Sequence, residues 1–96
     1  MNGEYSVSQS PLTREELWAL LEVARATGRK RVAIQSVRWI LEELSRTPLE
    51  FGESRNDLPH LDLHLRVAYT GPIRVDFAVH VIQRKVFIRK WSLGKP

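Results

Sequence analysis

The hydrophobic period of this 96-residue chain changes once, near Pro48, and that change restricts its possible folds more than any other feature. Before Pro48, apolar residues recur every three or four positions, as on one face of an α-helix. After residue 60 they alternate with polar residues, as in a β-strand with one buried face. The chain therefore predicts a helical half followed by a sheet half. Its length suits one small domain with a single core, spanning residues 1–96.

Two adjacent helices are predicted in the first half. Thr13 and Glu16 have the spacing of a capping box that starts a helix, and Gly28 is a typical helix stop. The apolar positions are Leu17, Leu20, Leu21 and Ala24 in the first helix, and Ala33, Val37, Ile40 and Leu44 in the second. Pro48 ends the second helix, because the residue before a proline avoids the helical region. The two helices should form a helical hairpin.

Four strands are predicted around this hairpin. The alternating segments are residues 4–8, 61–69, 73–81 and 85–91. Residues 49–60 resemble a loop, and residues 70–72 (Thr-Gly-Pro) a turn. Three successive strands with short turns make an antiparallel meander. The predicted fold class is α+β, in the order β-α-α-β-β-β, with the hairpin packed on one face of a small, largely antiparallel sheet.

Alternation divides the strand residues between two faces of the sheet. We expect the apolar face under the helices, formed by Leu63, Leu65, Val67, Val75, Phe77 and Val79 with Leu17, Leu21, Val37 and Leu41 or Leu44. We expect the polar set on the other face, formed by His64, Arg66, Arg74, Asp76, His80, Lys85, Phe87, Arg89 and Trp91. The alternative to a functional surface is an ordinary solvated sheet face.

Basic charge is concentrated in two segments of a chain whose net charge is +4. Residues 25–46 carry six basic and two acidic side chains, and residues 63–96 carry seven and one. This distribution favours an anionic partner. The basic residues in or before the second helix are Arg25, Arg29, Lys30, Arg31 and Arg38. Such a cluster either binds nucleic acid or forms a solvated helix face.

The predicted polar face has the residue types for binding and cutting RNA. Cations bind phosphate and exposed rings stack on bases, which suits single-stranded RNA. Histidine can carry a proton near neutral pH, and arginine can stabilise a charged transition state. We therefore expect His64 or His80 as proton carrier beside Arg66, with Arg66 and His80 a few ångströms apart on neighbouring strands.

Several classes of site are not expected. The chain has no cysteine, which excludes disulfides, thiolate zinc sites and cysteine nucleophiles. His60, Asp62 and His64 alternate, and histidine and aspartate side chains are common metal ligands. We nevertheless expect no metal and no cofactor. The N-terminal residues lack the features of a secretory signal, and we expect a cytoplasmic protein with no membrane partner.

Three segments carry a resemblance to a known family. They are PLEFGESR at 48–55, LRVAYTGPIRVDFAV at 65–79 and RKVFIRKW at 84–91. In this order, after two helices, they resemble the RelE/ParE superfamily of type II toxin–antitoxin toxins. The resemblance covers most of the chain and implies a cognate antitoxin as partner. It also implies a target, which is either mRNA on the ribosome or DNA gyrase.

The ribonuclease branch of that superfamily places a catalytic arginine on the strand after the helices, and Arg66 occupies that place. Arg89 and Lys90 match its basic position on the last strand. The resemblance thus implies a metal-independent mRNA interferase with catalytic residues Arg66, His80, His64 and Arg89. The RNA-binding residues are then Arg74, Lys85, Phe87, Lys90 and Trp91. No tyrosine follows the last strand, and a gyrase inhibitor without catalysis or an inactive partner-binding member are the alternatives.

Overall fold

The computed structural model describes residues 4–94, and in that span two helices cover one face of a five-stranded sheet. The helices are α1 (Pro11–Ala26) and α2 (Lys30–Arg46). The strands are β1 (Ser6–Gln9), β2 (Glu53–Leu58), β3 (Leu63–Thr70), β4 (Ile73–His80) and β5 (Lys85–Leu93). Their order across the sheet is β1-β5-β4-β3-β2, with β1 parallel to β5 and the other pairs antiparallel. The α+β prediction of a helical hairpin on a largely antiparallel sheet is confirmed.

Strand β2 corrects the prediction of a loop over residues 49–60. It pairs antiparallel with β3 and forms one edge of the sheet. Its sequence, ESRNDL, contains one apolar residue, and five of its six residues are exposed. A strand exposed on both faces needs no hydrophobic alternation, so its sequence carries no period-2 signal. A short 3₁₀ turn (Pro59–Leu61) joins it to β3.

The helix ends follow local chemistry. Ser10 caps α1, because its side chain accepts a hydrogen bond of 3.1 Å from the backbone N–H of Thr13. The cap therefore lies three residues before the predicted Thr13, and Pro11 occupies the first helical turn, where its missing N–H is harmless. Helix α2 ends at Arg46, as Pro48 predicts. Within the described residues, no helix has the length and apolar character needed to cross a membrane.

The core lies between the helices and the central strands. Its buried members are Leu20, Ala24, Ala33, Val37, Ile40 and Leu44 from the helices, and Ala68, Ile73, Val75, Phe77, Val79, Val86, Ile88 and Trp91 from the sheet. The predicted core positions on β4 are confirmed. Leu44 is buried, whereas Leu41 is partly exposed; Leu17 and Leu21 pack at the margin of the core.

The predicted face of β3 is wrong. Thr70 pairs with Ile73 across a two-residue turn, so Arg66 lies opposite Phe77 and His64 opposite Val79. Opposite residues in an antiparallel pair share a face. The helix side of β3 therefore carries His64, Arg66, Ala68 and Thr70, and the open side carries Leu63, Leu65, Val67 and Tyr69. A turn shorter by one residue than predicted transfers every side chain of a strand to the other face.

A bulge in β5 corrects the predicted position of Trp91. Asp76 pairs with Lys90 and Phe77 with Ile88, which leaves Arg89 as the extra residue. Trp91 consequently lies opposite Val75 on the helix side, with 3% of its surface exposed. Its indole N–H donates a hydrogen bond of 2.9 Å to the side chain of Gln9. Trp91 therefore joins β5 to the β1 edge and is not available to stack on a base.

Replacing Gly52 by alanine is expected to destabilise the protein by about 2–5 kcal/mol, combining a left-handed backbone with an overpacked contact. Gly52 has φ +76°, and a Cβ there would clash with the backbone carbonyl of Val67. Gly28→Ala is the matched control, because its φ is +75° but nothing lies within 4 Å of the added atom. Urea unfolding of both variants measures the difference. Equal losses of unfolding free energy in Gly52→Ala and Gly28→Ala would contradict a steric role for Gly52.

Candidate functional site

A histidine–aspartate pair lies on the helix side of the sheet at its β2 edge. Asp57 of β2 and His64 of β3 are register partners, and their Oδ1 and Nδ1 atoms are 2.8 Å apart. A carboxylate only accepts, so Nδ1 of His64 donates and, in a neutral ring, Nε2 keeps its lone pair. The His64 side chain is 37% exposed. In that tautomer Nε2 is the ring nitrogen that can accept a proton, and the neighbouring carboxylate orients it.

Arg66 lies on the same face, two residues further along β3. Its Nε donates to the carbonyl of Phe51 at 3.1 Å, and its Nη2 donates to the carbonyl of Gly52 at 2.9 Å. These bonds fix the guanidinium and also hold the segment that leads into β2. They use two of the five N–H donors of arginine, so three remain for a ligand. Arg66 is therefore a positioned cation that also supports the fold.

The Asp57–His64 pair is a dyad, and together with Arg66 it forms what we call the dyad site. Residues i and i+2 of a strand are about 6.6 Å apart and point the same way, which brings His64 and Arg66 within reach of one nucleotide. An oriented base next to a fixed cation can accept a proton from a hydroxyl and stabilise charge on a phosphate. Asp57 was missed by the sequence analysis, because it belongs to the segment predicted as a loop.

His80 does not join the dyad site. It lies opposite Leu63, on the open side of the sheet, so the sheet separates it from Arg66. Its Nδ1 accepts a hydrogen bond of 3.1 Å from the backbone N–H of Gln83 in the following turn. The expectation that Arg66 and His80 lie a few ångströms apart is therefore wrong. The reason is again the register of β3.

The open side of the sheet has a mixed apolar and basic surface, which we call the open face. Leu65, Ala78 and Phe87 form one row across three strands, and Phe87 is 39% exposed. The basic side chains on this face are Arg74, Lys85 and Lys90. Four of the five predicted RNA-binding residues thus share one surface, and Trp91 is the exception. Arg89, at the bulge, is exposed.

Arg74 differs from the other cations of the open face because its charge is balanced. It forms two hydrogen bonds with Asp76, of 3.0 and 3.2 Å, and its guanidinium lies 5.7 Å from the ring centre of Tyr69. The hydrogen bonds to Asp76 and that carboxylate's charge raise the pKa of Arg74 above its ordinary value. Tyr69 is 62% exposed, and its place as a surface ring was not predicted from the sequence. A two-residue turn at Gly71-Pro72 would have indicated its position.

The alternating residues His60, Asp62 and His64 do not lie along one strand. His60 belongs to the 3₁₀ turn, and Asp62 has a left-handed backbone with φ 56°. Across residues 4–94, no group of three or more metal-ligating side chains comes together. The candidate chemistry of the described residues therefore rests on the dyad site and the open face.

Comparisons with solved structures identify similar folds. The chain superposes on a chain of the toxin–antitoxin complex RelBE2 from Mycobacterium tuberculosis with a TM-score of 0.69 and 19% identity, over 97% of this chain and 94% of that one. For the chromosomal ParDE toxin–antitoxin system from P. aeruginosa the TM-score is 0.67 at 12% identity, over 98% and 100%. For the archaeal RelE–RelB complex from Pyrococcus horikoshii OT3 it is 0.63 at 22%, over 94% of each chain. Neither a protein-family profile nor a curated protein sequence matches the chain.

Proposed function

We propose that this chain, which has the RelE/ParE fold, is the toxin of a type II toxin–antitoxin pair. The three structural neighbours described above all come from toxin–antitoxin complexes or systems, and each is covered almost completely. The partner we propose is a cognate antitoxin protein. The basic charge of residues 63–96 suits an acidic partner segment, since complementary charge speeds association and fixes register.

The activity we propose for the toxin is cleavage of mRNA on the ribosome. The observation that carries this proposal is the hydrogen bond of 2.8 Å between His64 and Asp57 on the same face as Arg66. A histidine oriented by a carboxylate, beside a fixed arginine, supplies the two groups that general-base catalysis at a phosphate requires.

In the proposed reaction, Nε2 of His64 removes the proton from the ribose 2′-hydroxyl. The 2′-oxygen attacks the adjacent phosphorus, the bond to the 5′-oxygen breaks, and the products are a cyclic phosphate and a 5′-hydroxyl end that takes its proton from water. Arg66 stabilises the charge that develops on the phosphate oxygens, which is the role that Lewis acids or fixed donors fill in phosphoryl chemistry. Asp57 keeps the proton on Nδ1 of His64 throughout.

The open face has a separate role in this proposal. It lies across the sheet from the dyad site, so its residues cannot contact the nucleotide being cut. We assign Lys85, Lys90 and the rings of Tyr69 and Phe87 to neighbouring RNA, through phosphate contacts and base stacking. Arg74 is a weaker candidate, because Asp76 already occupies its guanidinium.

A gyrase inhibitor without catalysis is the second candidate. The observation that favours it is that Arg66 already donates to the carbonyls of Phe51 and Gly52. A structural role therefore accounts for this arginine without any substrate. The ParDE neighbour, with a TM-score of 0.67, is as similar in fold as the RelE-type neighbours.

The test is induced expression in bacteria, with and without the neighbouring reading frame, followed by two assays on purified protein. We expect growth arrest that the neighbouring frame relieves, and cleavage of mRNA on translating ribosomes. Growth arrest with intact mRNA and inhibited gyrase supercoiling would support the second candidate instead. Normal growth would contradict the toxin proposal altogether.

A further inference from the structure

A groove along α2 lies apart from both surfaces described above. It is a shallow depression, widely open to solvent, of about 550 Å³ between the side chains of Lys30, Arg31, Ile34, Gln35 and Arg38, all from this one helix. We call it the α2 groove. Its polar lining consists of three cations and one amide, so the hydrogen-bonding groups it offers are almost all donors. A surface of that kind fits a ligand made of anionic acceptors.

The charge of the α2 groove is not balanced by ion pairs. Arg25 pairs with Glu22 at 2.8 Å and Arg46 with Glu43 at 3.7 Å, but in residues 4–94 no carboxylate lies within ion-pair distance of Lys30, Arg31 or Arg38. The hydrogen bond and charge of Arg25 lower the pKa of Glu22, with a smaller contribution from Lys30. Glu22 is thus already occupied by another cation, and the three groove cations are left for a partner.

Two of these cations stand where the helix itself disfavours them. Lys30 and Arg31 occupy the first turn of α2, which contains no acidic residue. The macrodipole makes that end of a helix positive and therefore unfavourable for added cations. Local arrangements that oppose folding are expected where function requires them. The groove's positive potential comes from side-chain charges along it and not only from the backbone groups of the helix end.

The spacing of the cations fits a repeating anion. From Lys30 to Arg38 the helix rises about 12 Å, at about 1.5 Å per residue. That distance matches three to four nucleotides of one duplex strand, at about 3.4 Å each. No aromatic ring lines the groove, so base stacking, the usual means of holding a single strand, is absent from it. The groove therefore suits contacts to a phosphate backbone.

We propose that the α2 groove binds the phosphodiester backbone of double-helical nucleic acid through Lys30, Arg31 and Arg38, with Gln35 as a further donor. This site goes beyond the proposed function, which is placed at the dyad site, and does not depend on it. Duplex RNA and duplex DNA offer the same phosphate chemistry, and the experiment distinguishes them.

The experiment measures binding of the full chain to RNA and DNA duplexes of about 16 base pairs, between about 50 and 200 mM salt. The variant is Lys30→Gln/Arg31→Gln/Arg38→Gln. The control, Arg14→Gln/Arg46→Gln/Arg55→Gln, removes the same charge from exposed positions elsewhere. We expect the groove variant to lose roughly 10- to 100-fold in affinity and about 3 units of salt slope. Its melting temperature should stay equal or rise, because two cations leave the first turn of α2.

Several outcomes would overturn the proposal. One is an equal loss of duplex affinity in the groove and control variants. Another is binding of a single strand with the same affinity as the duplex. A third is binding of poly-glutamate with the same affinity and salt slope as the duplex. The last would assign the groove to an acidic protein segment. A preference between the two duplexes identifies the ligand. Because the groove variant leaves Asp57, His64 and Arg66 intact, unchanged mRNA cleavage alongside lost duplex binding separates this site from the proposed activity.

Discussion

Replacing Phe77 by alanine is expected to lower the free energy of unfolding by about 3–5 kcal/mol. Phe77 is fully buried in the centre of β4, and its ring packs against that of Phe51 with centroids 6.2 Å apart. Truncation would leave a cavity between the helices and the sheet and remove that aromatic contact. A domain of this size has only about 5–15 kcal/mol of stability, so the variant should be close to unfolding at physiological temperature.

Phe87→Ala is the matched control for this prediction. It removes the same side chain from the next strand, but on the open face, where the ring is 39% exposed. Because over a third of its surface is already exposed, its loss should be clearly smaller, about 1–2 kcal/mol. Urea unfolding of the parent and both variants provides the comparison. A loss under about 1 kcal/mol for Phe77→Ala would mean that the assigned core is wrong.

Replacing Arg66 by alanine is expected to slow RNA cleavage by roughly 10²- to 10³-fold, if the proposed reaction is correct. The change removes the cation that we propose stabilises the scissile phosphate, while His64 and Asp57 remain paired. It also removes two hydrogen bonds to the carbonyls of Phe51 and Gly52, which should destabilise the fold by about 1–3 kcal/mol. Cleavage should therefore be measured at a temperature at which the variant is folded.

Two further variants separate catalysis from stability. Arg66→Lys keeps the charge but not the forked donors, so it should restore cleavage only in part. Arg55→Ala removes an exposed arginine from the adjoining strand β2 and should leave the cleavage rate unchanged. Full cleavage by folded Arg66→Ala on translating ribosomes would contradict a catalytic role. Arg66 would then act only by holding the segment before β2.

The helical half was predictable because its signals are local. Each helix buries one stripe of side chains, and positions such as Leu20, Val37 and Leu44 recur with the helical period wherever the sheet lies. Pro48 and Gly28 act on the backbone of their own neighbours, so their effect also needs no tertiary information. The apolar positions of β4 were also predictable, because this central strand buries one face and its apolar residues alternate accordingly.

The sheet edge was not predictable in the same way. Strand β2 forms because β3 offers it hydrogen-bonding partners, and its own side chains are almost all exposed. Asp57 therefore looked like a loop residue until pairing placed it beside His64. Similarly, the buried position of Trp91 depends on one extra residue in β5, which no pattern in the sequence marks.

By itself the sequence determined the order of the two helices and of four of the five strands, the α+β class, the helix stripes and the basic charge of α2, because each depends on side-chain period or composition. Only the tertiary structure decided which face of β3 meets the helices. Both of its faces are partly apolar: Val67 is buried on the open side and Ala68 under the helices. Alternation alone cannot choose between two such faces, whereas a two-residue turn at Gly71-Pro72 sets the register and with it every side chain. That single geometric choice moved His64 and Arg66 together to the helix side and left His80 on the other side of the sheet.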